Sequence, residues 1–106
     1  MALAASIPPL PTLPAEVLAL AAQQGVTPYL GAVLEMTRRI FPGSHPAVFV
    51  EEDAEVAGDQ YIVLEVDVTG FSGGQLAESR QRWLGEVSQH CPANRVNVFY
   101  LGMKVA

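Results

Sequence analysis

Cysteine occurs once in this 106-residue chain, at Cys91, so no internal disulfide can form and the fold has no need of an oxidising compartment. A cytoplasmic setting is therefore expected. Charge is sparse as well: Asp, Glu, Lys and Arg make up 16% of the residues, against a typical ~25%. Basic residues are the scarcest, six against eleven acids, and they form no stripe. Binding to a nucleic-acid backbone depends on clustered Lys and Arg, so no nucleic-acid partner is expected. No apolar run approaches the ~20 residues that cross a bilayer. The opening MALAASIPPLPTLP also lacks a basic n-region and an unbroken apolar stretch, so neither a membrane partner nor a signal peptide is expected. Phosphate-loop signatures are missing too. The glycines of GFSGG, Gly70, Gly73 and Gly74, match neither GxGxxG nor the glycine-rich loop that ends in Gly-Lys, and they read as a strand-to-helix turn.

What the chain has in excess is apolar: half its residues are hydrophobic and the mean hydropathy is +0.26. A chain of this length makes one domain that buries on the order of two-thirds of its unfolded surface. The composition carries more apolar surface than such a domain needs alone, so either the core is rich or a partner covers part of it. The net charge of −5 is uneven. Residues 46–69 hold seven acids and no base, whereas residues 70–106 hold Arg80, Arg82, Arg95 and Lys104 against Glu78 and Glu86.

Residues 1–13, with Pro8, Pro9 and Pro11, read as a flexible proline-rich arm, and residues 14–106 as a single α+β domain. Pro14 suits a first helical turn, Val17, Leu20 and Ala21 share a stripe, and Gly25 is a natural C′ stop. Thr27 reads as the N-cap of a second helix with Pro28 at N1. Leu30, Val33, Leu34, Thr37 and Phe41 then recur at helical spacing up to Pro42-Gly43. The strongest β signal is residues 60–70, QYIVLEVDVTG. Ile62, Leu64, Val66 and Val68 fall on one face, and Tyr61, Val63, Glu65, Asp67 and Thr69 on the other. A shorter β-rich patch at Val48, Phe49 and Val50 should form an antiparallel hairpin with it.

Ser72 and Gln75 fit a capping box for a third helix, with Leu76, Arg80, Trp83, Leu84, Val87 and Cys91 on one face and Pro92 as the stop. Residues 95–105 alternate Val96, Val98 and Tyr100 against Asn97, Phe99, Leu101 and Met103, giving a last strand weakened at Gly102. The order is ααββαβ. A strand, a helix and a strand in one sheet run their strands in parallel. The expectation is thus a two-layer α+β fold, a three-stranded mixed sheet with its helices packed on one face. Strand orders 1-2-3 and 2-1-3 both fit, and the first is preferred because residues 60–70 are the more apolar and better alternating candidate for the centre.

Candidate chemistry is thin. His90 and Cys91 are neighbours on a helix, about 100° apart, so adjacency does not aim one at the other, and Cys91 reads as a small buried hydrophobe. Glu51, Glu52, Asp53 and Glu55, with Asp59 nearby, miss the EF-hand spacing and read as an acidic recognition turn with no metal. Glu65 and Asp67 lie two apart on one strand face, and together with Tyr61, Arg95 and Asn97 they form the one constellation with a catalytic look. Its simpler reading is cross-strand ion pairing on an open sheet face. No cofactor is expected. The resulting expectation is a cytoplasmic protein–protein interaction module, adaptor or antitoxin-like, whose acidic hairpin meets a basic partner surface. It is expected to act as a homodimer, by joining terminal strand edges or by stacking the faces that carry Val63 and Phe99 or Tyr100. The alternative is a small-molecule-binding domain or enzyme working at the polar sheet face around Glu65 and Asp67.

Overall fold

Helix α1 (Ala15–Gln23) ends as its sequence demands. The amide of Gly25 donates to the Ala22 carbonyl, and that of Val26 to the Ala21 carbonyl, with Gly25 at φ 71°. This is a Schellman closure, which needs a left-handed residue at C′ and favours an apolar one directly after it. Val26 fills that place and is fully buried. It also serves as the N-cap position of helix α2 (Thr27–Ile40), its carbonyl accepting the amides of Tyr29 and Leu30. Thr27 is therefore the first helical residue and not the cap; its side chain makes no capping bond. The Schellman motif fixes Val26, and the same residue is the N-cap of the next helix.

The structure, a computed structural model, describes residues 13–105. Nearly all of the proline-rich arm lies outside the described residues. Its last position, Leu13, packs half-buried against the core.

Three strands form one sheet in the order β1-β2-β3: β1 (Ala47–Glu52), β2 (Gln60–Asp67) and β3 (Phe99–Lys104). β1 runs antiparallel to the central β2, with Phe49 opposite Val63 and Glu51 opposite Tyr61. β3 runs parallel to it, with Ile62 opposite Phe99, Leu64 opposite Leu101 and Glu65 opposite Gly102. Ile62, Leu64 and Val66 are buried completely, in one cluster with α1 and α2. Because side chains alternate along a strand, Phe99, Leu101 and Met103 share that inner face, and Tyr100 and Gly102 face outward. Phe99 consequently belongs to the core and cannot help to stack outer faces. The last strand also starts late. Residues 95–98, expected as strand, are a tight turn followed by a 3₁₀ segment, Val96–Val98.

Helix α3 (Gly73–His90) opens with the expected capping box: the Gln75 amide donates to Ser72 Oγ at 3.1 Å, and the Ser72 amide to Gln75 Oε1 at 2.8 Å. Its buried stripe is narrower than expected. Trp83 and Val87 are buried, Leu76 is half-buried, and Leu84 stays 47% exposed. The reason is where α3 leans. It packs mainly on α2, where the Trp83 indole Nε1 donates to Thr37 Oγ1 at 2.9 Å and Thr37 Oγ1 in turn donates to the Val33 carbonyl at 2.8 Å. Outside that buried link, Glu86 accepts from Arg39 at 2.6 Å and from Arg82 at 3.2 Å. This lean turns Arg80 and Leu84 away from the core, toward β3.

Candidate functional site

Three surfaces carry the candidate residues, beginning with the acidic hairpin. Asp53 closes the β1–β2 loop: its amide donates to the Asp59 carbonyl, while its Oδ1 accepts the amides of Glu55 at 2.8 Å and Val56 at 3.1 Å. The carboxylate is used as a turn acceptor, the usual role of an Asp that bonds its own backbone two residues on. Gly58 at φ 85° completes the turn. Glu51, Glu52 and Glu55 are exposed around it. Among the described residues, no group of three or more His, Cys, Asp or Glu side chains is placed to share a metal ion.

The second surface is the outer sheet face. Glu65 lies half-buried between Ala47 and Gly102, and Asp67 is opposite Lys104. Asp67 is occupied: its Oδ1 accepts the Thr69 hydroxyl at 2.6 Å and the Thr69 amide at 2.9 Å. These bonds, with a smaller contribution from Lys104, hold its carboxyl below the ordinary carboxylate value. A carboxylate bound in this way stays ionised and is a poor general acid. The expected pairing with Arg95 and Asn97 does not occur, because the turn and 3₁₀ segment that carry those residues precede β3. In a parallel register they sit at the Tyr61 end of the sheet, away from Asp67.

At that opposite end, a third arrangement brings Tyr61, Arg95 and Asn97 together with Gln24, Asp59 and Asn94 around a partly enclosed cavity of about 170 Å³. Tyr61 and Tyr100 form one wall, their rings stacked with centroids 4.1 Å apart. The Tyr61 hydroxyl donates to Glu51 Oε2 at 3.2 Å. Partial burial, and then that acidic neighbour, push the phenol above its ordinary value. Arg95 makes only a 3.5 Å contact with the Asn94 carbonyl, and neither Arg95 nor Asp59 has an ion-pair partner among the described residues. Gln24 and Asn94 escaped the sequence reading, and Asp59 enters it only as a neighbour of the acidic turn. They come from the end of α1, the hairpin and the loop after α3, and no local pattern links them.

Next to this cavity, the seam between α3 and β3 is an open groove of about 320 Å³ lined by Leu84, Val87, Val96, Leu101 and the edge of Tyr100, with Arg80 among its lining residues. Cys91, by contrast, is buried at the end of α3, and burial pushes its thiol upward, so it is not an activated nucleophile. Compared with known proteins, the chain matches no family model, no curated protein and no solved structure.

Proposed function

We propose that this chain is a protein–protein interaction module of the cytoplasm that works as a homodimer through the outer edge of β3. The observation that carries the reading is the combination of a bare strand edge and an apolar groove beside it. Among the described residues nothing pairs with β3 on its outer side, and from Phe99 to Met103 it carries no charge. Beside it, Leu84 and Tyr100 are 47% and 50% exposed. An uncharged edge of this kind is a template for strand pairing. The other edge, β1, ends in Glu51 and Glu52 beside the acidic loop, where a second copy would be repelled.

Antiparallel pairing of β3 with its copy about a two-fold axis extends the sheet to six strands and seats each groove against its counterpart. It leaves the two acidic hairpins at the far ends, free to meet a partner with a basic surface, where complementary charge speeds and orients the encounter. No helix of the described residues is both long and apolar enough to cross a membrane. Light scattering at micromolar concentration tests the dimer. The expected mass is twice the 11.3 kDa of one chain, falling to that of one chain in Leu84→Asp and Tyr100→Asp with the circular dichroism spectrum unchanged. A wild-type mass of one chain, unchanged with concentration, refutes the proposal.

A further inference from the structure

The cavity at the Tyr61 end of the sheet goes beyond the interaction reading and does not depend on it. Its walls are almost wholly polar, and two of them carry opposite charges that nothing in the described chain neutralises: the Arg95 guanidinium and the Asp59 carboxylate. Several other charges close to the sheet already have partners. Asp67 is held by Thr69, Asp53 by its loop amides and Glu86 by two arginines. Arg95 and Asp59 present a cation and an anion separately to one small space.

At about 170 Å³ the cavity is smaller than the ~300–1,000 Å³ of pockets that take drug-sized ligands. A planar guanidinium fork is matched to a carboxylate, and a lone carboxylate to an ammonium. The lining amides of Gln24, Asn94 and Asn97 add donors and acceptors for a further polar group. We infer that this cavity binds a small zwitterion, a free α-amino acid with a polar side chain. Arg95 takes the α-carboxylate, Asp59 takes the α-ammonium, and the amides take the side chain.

The test uses the full chain, with binding followed by the amide and arginine side-chain resonances in nitrogen–proton correlation spectra. The probes are L-glutamine, L-asparagine and L-serine, together with two cut-down forms of glutamine: 4-carbamoylbutanoate, which lacks the ammonium, and 4-aminobutyramide, which lacks the carboxylate. At least one of the amino acids is expected to shift the Arg95 side-chain and Asn97 signals at millimolar concentration. Where glutamine binds, each cut-down form should bind at least about tenfold more weakly, the usual scale for losing a hydrogen bond to a charged group.

Two variants then assign the charges. Arg95→Ala should no longer distinguish glutamine from 4-aminobutyramide, and Asp59→Asn should no longer distinguish it from 4-carbamoylbutanoate. Both side chains are exposed, so the variants should keep the wild-type spectrum elsewhere. Absence of any shift with all three amino acids up to tens of millimolar overturns the proposal. So does binding of 4-carbamoylbutanoate as tight as that of glutamine, which would mark a simple anion site, and so does discrimination that survives both substitutions.

Discussion

Replacing Thr37 by Val should expose how α3 is held to α2. Thr37 is completely buried, and its Oγ1 accepts the Trp83 indole N–H at 2.9 Å. Valine has nearly the same shape and fills the same space. The indole N–H, on a side chain only 2% exposed, then has no partner and no route to water. A buried donor left unsatisfied costs about 1–3 kcal/mol. The hydroxyl's own bond to the Val33 carbonyl adds little, because that carbonyl is in the helix ladder. For a domain of this size each kcal/mol moves the melting temperature by roughly 4 °C or slightly more, so Thr37→Val should melt about 4–12 °C lower. The comparison that isolates the bond is the same substitution in a Trp83→Phe background, where no indole N–H is left to orphan; there it should be close to neutral. Circular dichroism melts of all four proteins at one concentration give the coupling directly. Equal losses in the two backgrounds would show that the hydroxyl does not serve Trp83. Trp83→Ala should cost about 3–5 kcal/mol as a core deletion, and Glu78→Ala, exposed on α3, close to nothing.

Two glycines should respond in opposite directions. Gly25→Ala forces a Cβ into the left-handed region at φ 71° and should lose about 1–2 kcal/mol in urea unfolding, although a Cβ there meets no atom within 4 Å. Gly85→Ala, within α3 with equally open space and ordinary helical backbone, should gain about 0.5–1 kcal/mol. Acid stability should depend on Glu86. The hydrogen bond from Arg39 holds its carboxyl below the ordinary 4.5, so the unfolded chain takes up its proton first. That contribution is present above pH 4.5 and fades as pH falls through the depressed folded value, so Glu86→Gln should lower stability at neutral pH and flatten the acid limb of the stability curve. An unchanged limb would mean that the Arg39–Glu86 contact is not formed in solution.

Local chemistry was enough to write the elements. The Gly25 stop, the Ser72–Gln75 capping box and the alternation from Tyr61 to Asp67 each depend on residues a few positions apart, so they could be read directly and they stand in the structure. The β1–β2 hairpin followed for the same reason, whereas the order 2-1-3 also fitted the sequence and the central place of β2 was a preference that the pairing with β3 decides. What periodicity could not supply was which of several apolar stripes on α3 turns inward. Leu84 and Val87 look alike in sequence, and the face that turns inward is the one where Trp83 and Val87 join the core and Trp83 bonds a hydroxyl 46 residues earlier. Nor could alternation tell that residues 95–98 curl before β3 begins, since that depends on where the parallel register with β2 starts. From that register follows the separation of Arg95 and Asn97 from Glu65 and Asp67, and their meeting with Asp59 and Gln24. The elements are set by short-range sterics and hydrogen bonding, whereas the site is set by long-range packing, which brings together side chains from the end of α1, the hairpin and the loop that leads into β3.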